Sequence, residues 1–356
     1  MKKFCALLLS LVMLLSLAAC GGSTSTSGDK TSGEKTDTVA DTKPVKIKVG
    51  TPAAEDNPMQ GLIYYWQEKV DEKVPGMVEW ENYPNSTIGS EREMVEMVFD
   101  GTLDCAMVGP SNITAVSPMN AVRLQDMPFV FRDQDELYAA TNEWMRDKIN
   151  EECEAVGVNC MWYIYLMGQE IENNRNPIYT PDDVKGMKIR VYNSPGPYNF
   201  LEACGGLPVT MAMSEVYTGL QQRAIDGLYT TSSNFVPQKF AEVCKYHTKL
   251  TITNLGMTVM FNQDILESYP QEVQDALIEA GMEAEEYNQT TLMPQVKAST
   301  YDEIAAAGVE INEVTEEQYQ AFVDLVADYC YEDMRQEVGP ELWDFCIDWI
   351  KEYRAR

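Results

Sequence analysis

Thr180-Pro181-Asp182-Asp183-Val184-Lys185-Gly186-Met187-Lys188-Ile189-Arg190-Val191 holds a helix start, a helix stop and a strand in one short stretch. Thr180 is the N-cap, Pro181 takes the first helical position, and Asp182 and Asp183 put acids in the first turn. Gly186 ends this short helix, and Lys188–Val191 runs on as a strand. The alternation extends both ways. Downstream, Ser214 caps a helix that ends at Asp226-Gly227, and residues 251–261 read as one strand returning to the first lobe. Upstream, Val45-Lys46-Ile47-Lys48-Val49 alternates strictly and predicts the first strand. A helix over 58–74 and a strand over 78–83 follow, then a helix opening on the capping box Ser90-Glu91-Arg92-Glu93. Met94, Met97 and Val98 lie at helical spacing, Gly101 stops the helix, and 103–108 is a short apolar strand. A helix near 135–156 precedes a strong strand over 159–166. Strands alternating with helices predict an α/β fold with mostly parallel pairing.

Residues 270–307 read as helical, interrupted only by Gly281 and Pro294. The proline removes one backbone hydrogen bond and predicts a kink or break. If it only kinks, the helix reaches about 57 Å, enough to span two lobes. Helices over 316–336 and 340–353 close the chain, and no internal repeat is visible.

The first residues speak to the compartment. Lys2 and Lys3 precede a nearly unbroken apolar run, Phe4 to Leu17, and Leu17-Ala18-Ala19-Cys20 ends it with small residues. That order is a signal peptide over 1–19, too short and wrongly flanked for a spanning helix. Cys20 resembles the lipidated cysteine of a bacterial lipobox, and two acyl chains hold a protein stably at a membrane. An ordinary signal peptide that happens to carry a cysteine is the alternative. Residues 20–44 then form a polar linker with too little apolar surface to order itself. The remaining length suits two domains better than one.

Several chemistries are excluded. The formal charge is −29, and losing the two positive charges of Lys2 and Lys3 takes it to −31. Such a surface disfavours nucleic acid and anionic headgroups, but not an anionic ligand held by one arginine at contact distance. The single histidine, His247, rules out paired-histidine metal sites, and no GxSxG, GxGxxG or GxxxxGK[ST] occurs. His247 reads as structural. Acidic runs such as Asp182-Asp183, or Glu283 with Glu285 and Glu286, read as solvated helical faces. No catalytic constellation, metal or cofactor is expected. Beyond Cys5 and Cys20 there are seven cysteines, an odd number without CxxC spacing, so buried free thiols and disulfides stay equal alternatives.

Six motifs, in order over residues 45–290, together resemble the substrate-binding proteins of tripartite ATP-independent periplasmic (TRAP) transporters, of DctP type. They are Tyr83-Pro84-Asn85-Ser86-Thr87-Ile88-Gly89-Ser90-Glu91-Arg92-Glu93, Gly101-Thr102-Leu103-Asp104, Met127-Pro128-Phe129-Val130-Phe131-Arg132-Asp133, the opening 181–191 stretch, Ser214-Glu215-Val216-Tyr217-Thr218-Gly219-Leu220-Gln221, and Asp226-Gly227. The resemblance implies a two-lobed, type II periplasmic-binding-protein-like fold with a cleft between lobes and a long bracing helix. Lobe I is expected over 45–167 and lobe II over 168–254, with 255–356 returning to lobe I and supplying the lobe-spanning and C-terminal helices. It also implies an extracytoplasmic, lipid-anchored monomer that binds an organic acid, C4-dicarboxylates included, and hands it to integral-membrane permease subunits. A sensor presenting the solute to a receptor is the alternative.

In that family the arginine of the "K-I-R-V" strand pairs with the ligand carboxylate, which carries over to Arg190. A planar guanidinium matches a carboxylate with two parallel bonds. Asn193 aligns with a site-lining residue, and Met213 lies near the cleft entrance. Gly109, Pro110, Ser111 and Asn112 follow a strand end, where α/β folds expose ligand contacts. Trp162 and Tyr165 are candidates for an apolar wall, with core packing the equal alternative. Two departures matter. Many members carry "G-x-R" where this chain has Gly168-Gln169-Glu170, and Thr230 stands where many have asparagine. Glu170 either faces a ligand amine or hydroxyls, or leaves the cleft. A dicarboxylate held by two arginines is therefore less secure than a hydroxyl-rich or amine-bearing monocarboxylate.

Overall fold

The computed structural model describes residues 43–254 and 256–356. The signal peptide, Cys20 and nearly all of the linker lie outside the described residues. Strands β1 (Val45–Gly50), β2 (Val78–Tyr83), β3 (Cys105–Val108) and β4 (Val158–Tyr165) belong to a first sheet. The chain then crosses into a second sheet with β5 (Gln169–Asn173), β6 (Lys188–Val191), β7 (Leu207–Thr210), β8 (Gly227–Thr231) and β9 (Tyr246–Thr253). It returns to the first sheet with β10 (Gly256–Asn262), and β11 (Glu310–Glu313) joins the edge of the second.

The first sheet runs β2-β1-β3-β10-β4, the second β11-β9-β5-β8-β6-β7. β1 pairs in parallel with β2 and β3, whereas β10 is antiparallel to β3 and β4. In the second sheet β6 is parallel to β7 and β8, and β5 is antiparallel to β8 and β9. Each sheet thus carries the expected parallel units plus one antiparallel strand next to a crossing, β10 in the first and β5 in the second. Two crossings, one at 166–168 and one between β9 and β10, make a two-lobed molecule.

Local chemistry sets the element ends. Ser90 and Glu93 close a full capping box at helix Glu91–Asp100, which stops at Gly101 with φ 77°. Thr180 and Asp183 do the same for the 3₁₀ turn Pro181–Val184. Three expectations need correction. Helix Met213–Gln221 is capped from Ala212, whose backbone is still extended, so Ser214 lies inside the first turn. Residues 251–261 are not one strand but the end of β9 and most of β10, each buried in a different sheet. Asn254 marks the break, its side-chain amide donating to the Phe131 carbonyl at 2.9 Å. Glu285 is buried rather than solvated: its carboxylate takes Arg146 at 2.5 Å and the Tyr163 amide at 3.0 Å.

The bracing helix is one helical run, Gln271–Tyr287, a π-turn Asn288–Leu292, then Met293–Ala306. Its first part packs on helix Pro58–Lys73 and β4, its last part on β11 and the turn Ser232–Asn234. It therefore touches both lobes. The seven cysteines from Cys105 to Cys346 are buried free thiols.

Candidate functional site

Arg190 sits in β6 between β7 and β8, with 3% of its surface exposed. Its Nε donates to the Met211 carbonyl at 3.0 Å and one terminal nitrogen to the Tyr229 carbonyl at 3.3 Å. Neutral carbonyls are its only hydrogen-bond partners among the described residues. Of the chain's ten arginines, eight pair with a carboxylate and Arg223 is exposed, which leaves Arg190 as the buried one without an acid partner. Burial draws its pKa down to about 10, opposed by Tyr192 and Glu91. The guanidinium stays charged at neutral pH. A buried charge without its counter-ion is costly, and a carboxylate arriving with bidentate geometry removes that cost.

Glu91 comes from the other lobe. Its Oε1 accepts from the Gly109 amide at 2.5 Å, and Asn112 hydrogen-bonds the same carboxylate. Burial raises its pKa, while the Gly109 amide, Asn112 and Arg190 pull it down. Glu91 sits in the capping box but does not cap; Ser90 and Glu93 do that work. The sequence signal for the cap hid it as a site residue. Ser111 is buried in the short helix Pro110–Thr114 at the end of β3, beside Asn112.

Glu170 is buried and fully engaged within the second lobe. It accepts from His247 Nε2 at 2.9 Å, Ser232 Oγ at 2.5 Å and Tyr301 Oη at 3.2 Å. On the other side of the imidazole, Glu172 lies 3.1 Å from Nδ1. Burial pulls the His247 pKa down, but Glu170 and Glu172 outweigh it and hold it at about 9. Burial raises the Glu172 pKa, against the pull of His247. His247 is thus structural, as its sequence context suggested, yet it lies between two carboxylates that the sequence reading did not pair. The register Glu170↔Thr230 and Leu228↔Arg190 puts Arg190, Thr230 and Glu170 on one face of the sheet.

The other candidates are dispersed. Met213 is half-buried at the start of its helix, and Asn193 is exposed just past β6. Trp162 does not join the group: it is fully buried in the first lobe, 5.8 Å from the Trp66 ring and against Gly281. Tyr165 is buried against Tyr138, with its amide bound to Asn288 Oδ1 at 2.8 Å.

One further group lies beside Arg190. Asp126 belongs to the chain between β3 and β4, yet its carboxylate accepts from Tyr192 Oη at 3.2 Å and Ser194 Oγ at 3.3 Å, just past β6. It is 1% exposed, and burial lifts its pKa to about 7 against the pull of Tyr192, Ser194 and Arg123. No motif flagged it.

A pair of α/β lobes joined by two chain crossings, with a buried guanidinium that lacks an acid partner, fits an extracytoplasmic solute-binding protein. Residues 49–337 match the model of the DctP family, bacterial extracellular solute-binding protein, family 7, and the chain belongs to that family. It is similar to the 2,3-diketo-L-gulonate-binding periplasmic protein YiaO of Escherichia coli, 30% identical over 73% of this chain and 77% of that one. The C4-dicarboxylate-binding periplasmic protein DctP of Rhodobacter capsulatus is 27% identical over 84% and 89%. Among solved structures, the sugar acid binding protein of Advenella mimigardefordensis in complex with galactonate superposes with a TM-score of 0.82, at 20% identity over 88% and 99% of the two chains. The family is one of transporter solute-binding proteins, so the chain is a binding protein and not an enzyme.

Proposed function

We propose that this chain captures a small organic acid by its carboxylate through Arg190 and delivers it to the membrane subunits of a TRAP transporter, held at the membrane by lipid on Cys20 and acting as a monomer. The observation that carries this reading is the buried Arg190 guanidinium, bound among the described residues only by the carbonyls of Met211 and Tyr229. Glu91 and Asn112 offer acceptors and donors from the facing lobe, which suits hydroxyl groups rather than a second carboxylate. Glu170 is occupied by His247, Ser232 and Tyr301, and among the described residues no second buried arginine lacks an acid partner. A hydroxyl-rich monocarboxylate is therefore the best-fitting solute, in keeping with the diketo-gulonate and galactonate in the names of two of the three relatives; the third is named for C4-dicarboxylates. Thr230, Ser111, Asn193 and Met213 surround it in this reading, while Glu170 and Trp162 support the walls from behind.

A thermal-shift screen of the mature chain against sugar acids, dicarboxylates and amino acids tests the class. A solute at about 100 times its dissociation constant stabilises by about 2.7 kcal/mol, a readable shift. Arg190→Ala removes two charge-assisted bonds of about 1.5–3 kcal/mol each, so affinity should fall more than about a hundredfold. Arg190→Lys should recover little, since an ammonium cannot reproduce the planar fork. Full affinity in a folded Arg190→Ala protein would remove Arg190 from the site.

A further inference from the structure

Asp126 stands at a junction that solute capture alone does not require. Its own segment is part of the first lobe's connection between β3 and β4, while both of its hydroxyl partners lie beyond the end of β6 in the second lobe. The backbone repeats the contact. A Cβ placed on Gly196 would lie 2.0 Å from the Asp126 carbonyl oxygen and 3.2 Å from Pro128 Cδ, so the two segments meet closer than any other residue allows. The contact differs from the nearby bond of the Phe129 amide to the Ile252 carbonyl at 2.7 Å, which lies on the crossing strand where a hinge moves least.

We propose that Asp126 is an interlobe latch: its protonated carboxyl, bound to Tyr192 and Ser194, holds the lobes together, and its ionisation releases them. Hydroxyls can donate or accept, so Tyr192 and Ser194 satisfy either form of the carboxyl. The difference lies in the surroundings. Four charged or titratable groups face Asp126: Arg123 from the preceding helix, Glu91 from helix Glu91–Asp100, Tyr192 from the end of β6, and Tyr229 from β8. Only Arg123 favours the ion by charge, and it is already paired with Glu337 at 2.7 Å. Glu91 opposes it. Closing the lobes therefore strips water from the carboxyl without supplying a full counter-charge, and opening returns the water. The closed arrangement prefers the proton. Tyr192 lies two residues beyond Arg190, just past the end of β6, so the latch positions the solute-binding strand as well as the lobes.

The test needs no solute and so stands apart from the role given to Arg190. Nitroxides on exposed positions of the two lobes, Glu72→Cys and Gln222→Cys, report the interlobe distance by electron–electron double resonance. With the closed-state pKa at about 7 and an ordinary value in the open state, the closed-to-open ratio should rise about thirtyfold from pH 8.5 to 5.5. Asp126→Asn, a neutral mimic, should lose that pH dependence and keep the closed population at both values. Gly196→Ala, which leaves the carboxyl in place, should be open at both. A wild-type distance distribution unchanged over this range overturns the proposal, as does an Asp126→Asn protein that still shifts with pH.

Discussion

The single histidine is the residue on which the second lobe's electrostatics turn. His247 is fully buried between Glu170 and Glu172, and its folded-state pKa of about 9 exceeds its ordinary value of 6.5. A base whose pKa is raised by folding gives stability that is fully present below the unfolded value and lost as pH rises through the folded one. The protein should therefore lose stability between about pH 6.5 and 9, by up to about 3 kcal/mol from this group. Urea midpoints measured across that window check it, with His247→Gln as the control that flattens the loss. A wild-type midpoint constant from pH 6.5 to 9.5 would show that His247 is not held as a cation. At this scale the sequence was legible where one residue type is scarce or sits in a motif: Arg190 in its strand, His247 as the lone imidazole. It was opaque where chemistry depends on partners far apart in the chain. Glu170 and His247 are 77 residues apart, and Asp126 and Ser194 are 68 apart, so no spacing rule could join them.

The bracing helix shows how one element serves two lobes. Pro294 has no amide to donate, and the run absorbs this by widening into the π-turn Asn288–Leu292 instead of breaking. Asn288 fixes the turn to β4 through the Tyr165 amide. The helix passes from the first lobe to the second at this point, so the widened turn lies where a hinge would flex it. Gly281 is the other interruption, and its reason is packing. A Cβ there would lie 2.5 Å from Trp162 Cδ1 and 2.9 Å from Cγ, atoms of a fully buried indole that has nowhere to move. Gly281→Ala would gain about 1 kcal/mol of helix propensity, but overpacking a filled core costs about 1–3 kcal/mol. The variant should be net destabilised, by about 1 kcal/mol, read as a lowered melting temperature. A stabilised Gly281→Ala protein would mean that the helix does not press on Trp162. Helix and strand ends set by caps were readable in advance. The β9–β10 break was not, because apolar residues flank it on both sides and its cause is that the two halves belong to different sheets.

At the scale of the whole molecule, the lobes share a core as well as a hinge. One buried apolar cluster runs from Val108 and Tyr163 in the first sheet through Ile171 and Ile189 in the second to Phe322, Val326 and Cys330 of helix Glu316–Val338. Aromatic rings carry it across. Phe129 contacts Phe200 at 5.8 Å and Tyr319 at 5.4 Å, and Phe200 contacts Phe322 at 6.3 Å. Phe129 adopts φ 60°, a conformation a bulky side chain avoids, so its neighbours must hold it there. The order of the motifs foretold two lobes but not this joint, because the C-terminal helices lie beyond most of the recognised stretch and their partners are named only by packing. A shared core couples unfolding: pulling the lobes wholly apart, a larger movement than hinge opening at Asp126, would expose Phe129, Phe200 and Phe322 together, at about 1.5–3 kcal/mol for each side chain. That sum is comparable with the whole stability of a domain. Calorimetry of the solute-free chain should therefore give one transition with matching calorimetric and van't Hoff enthalpies. Phe200→Ala, which empties the middle of the joint, should cost about 3–5 kcal/mol and be the substitution most apt to split that transition in two. Two resolved transitions in the wild-type chain would instead mean that the lobes fold independently and that the rings between them contribute little to holding them together.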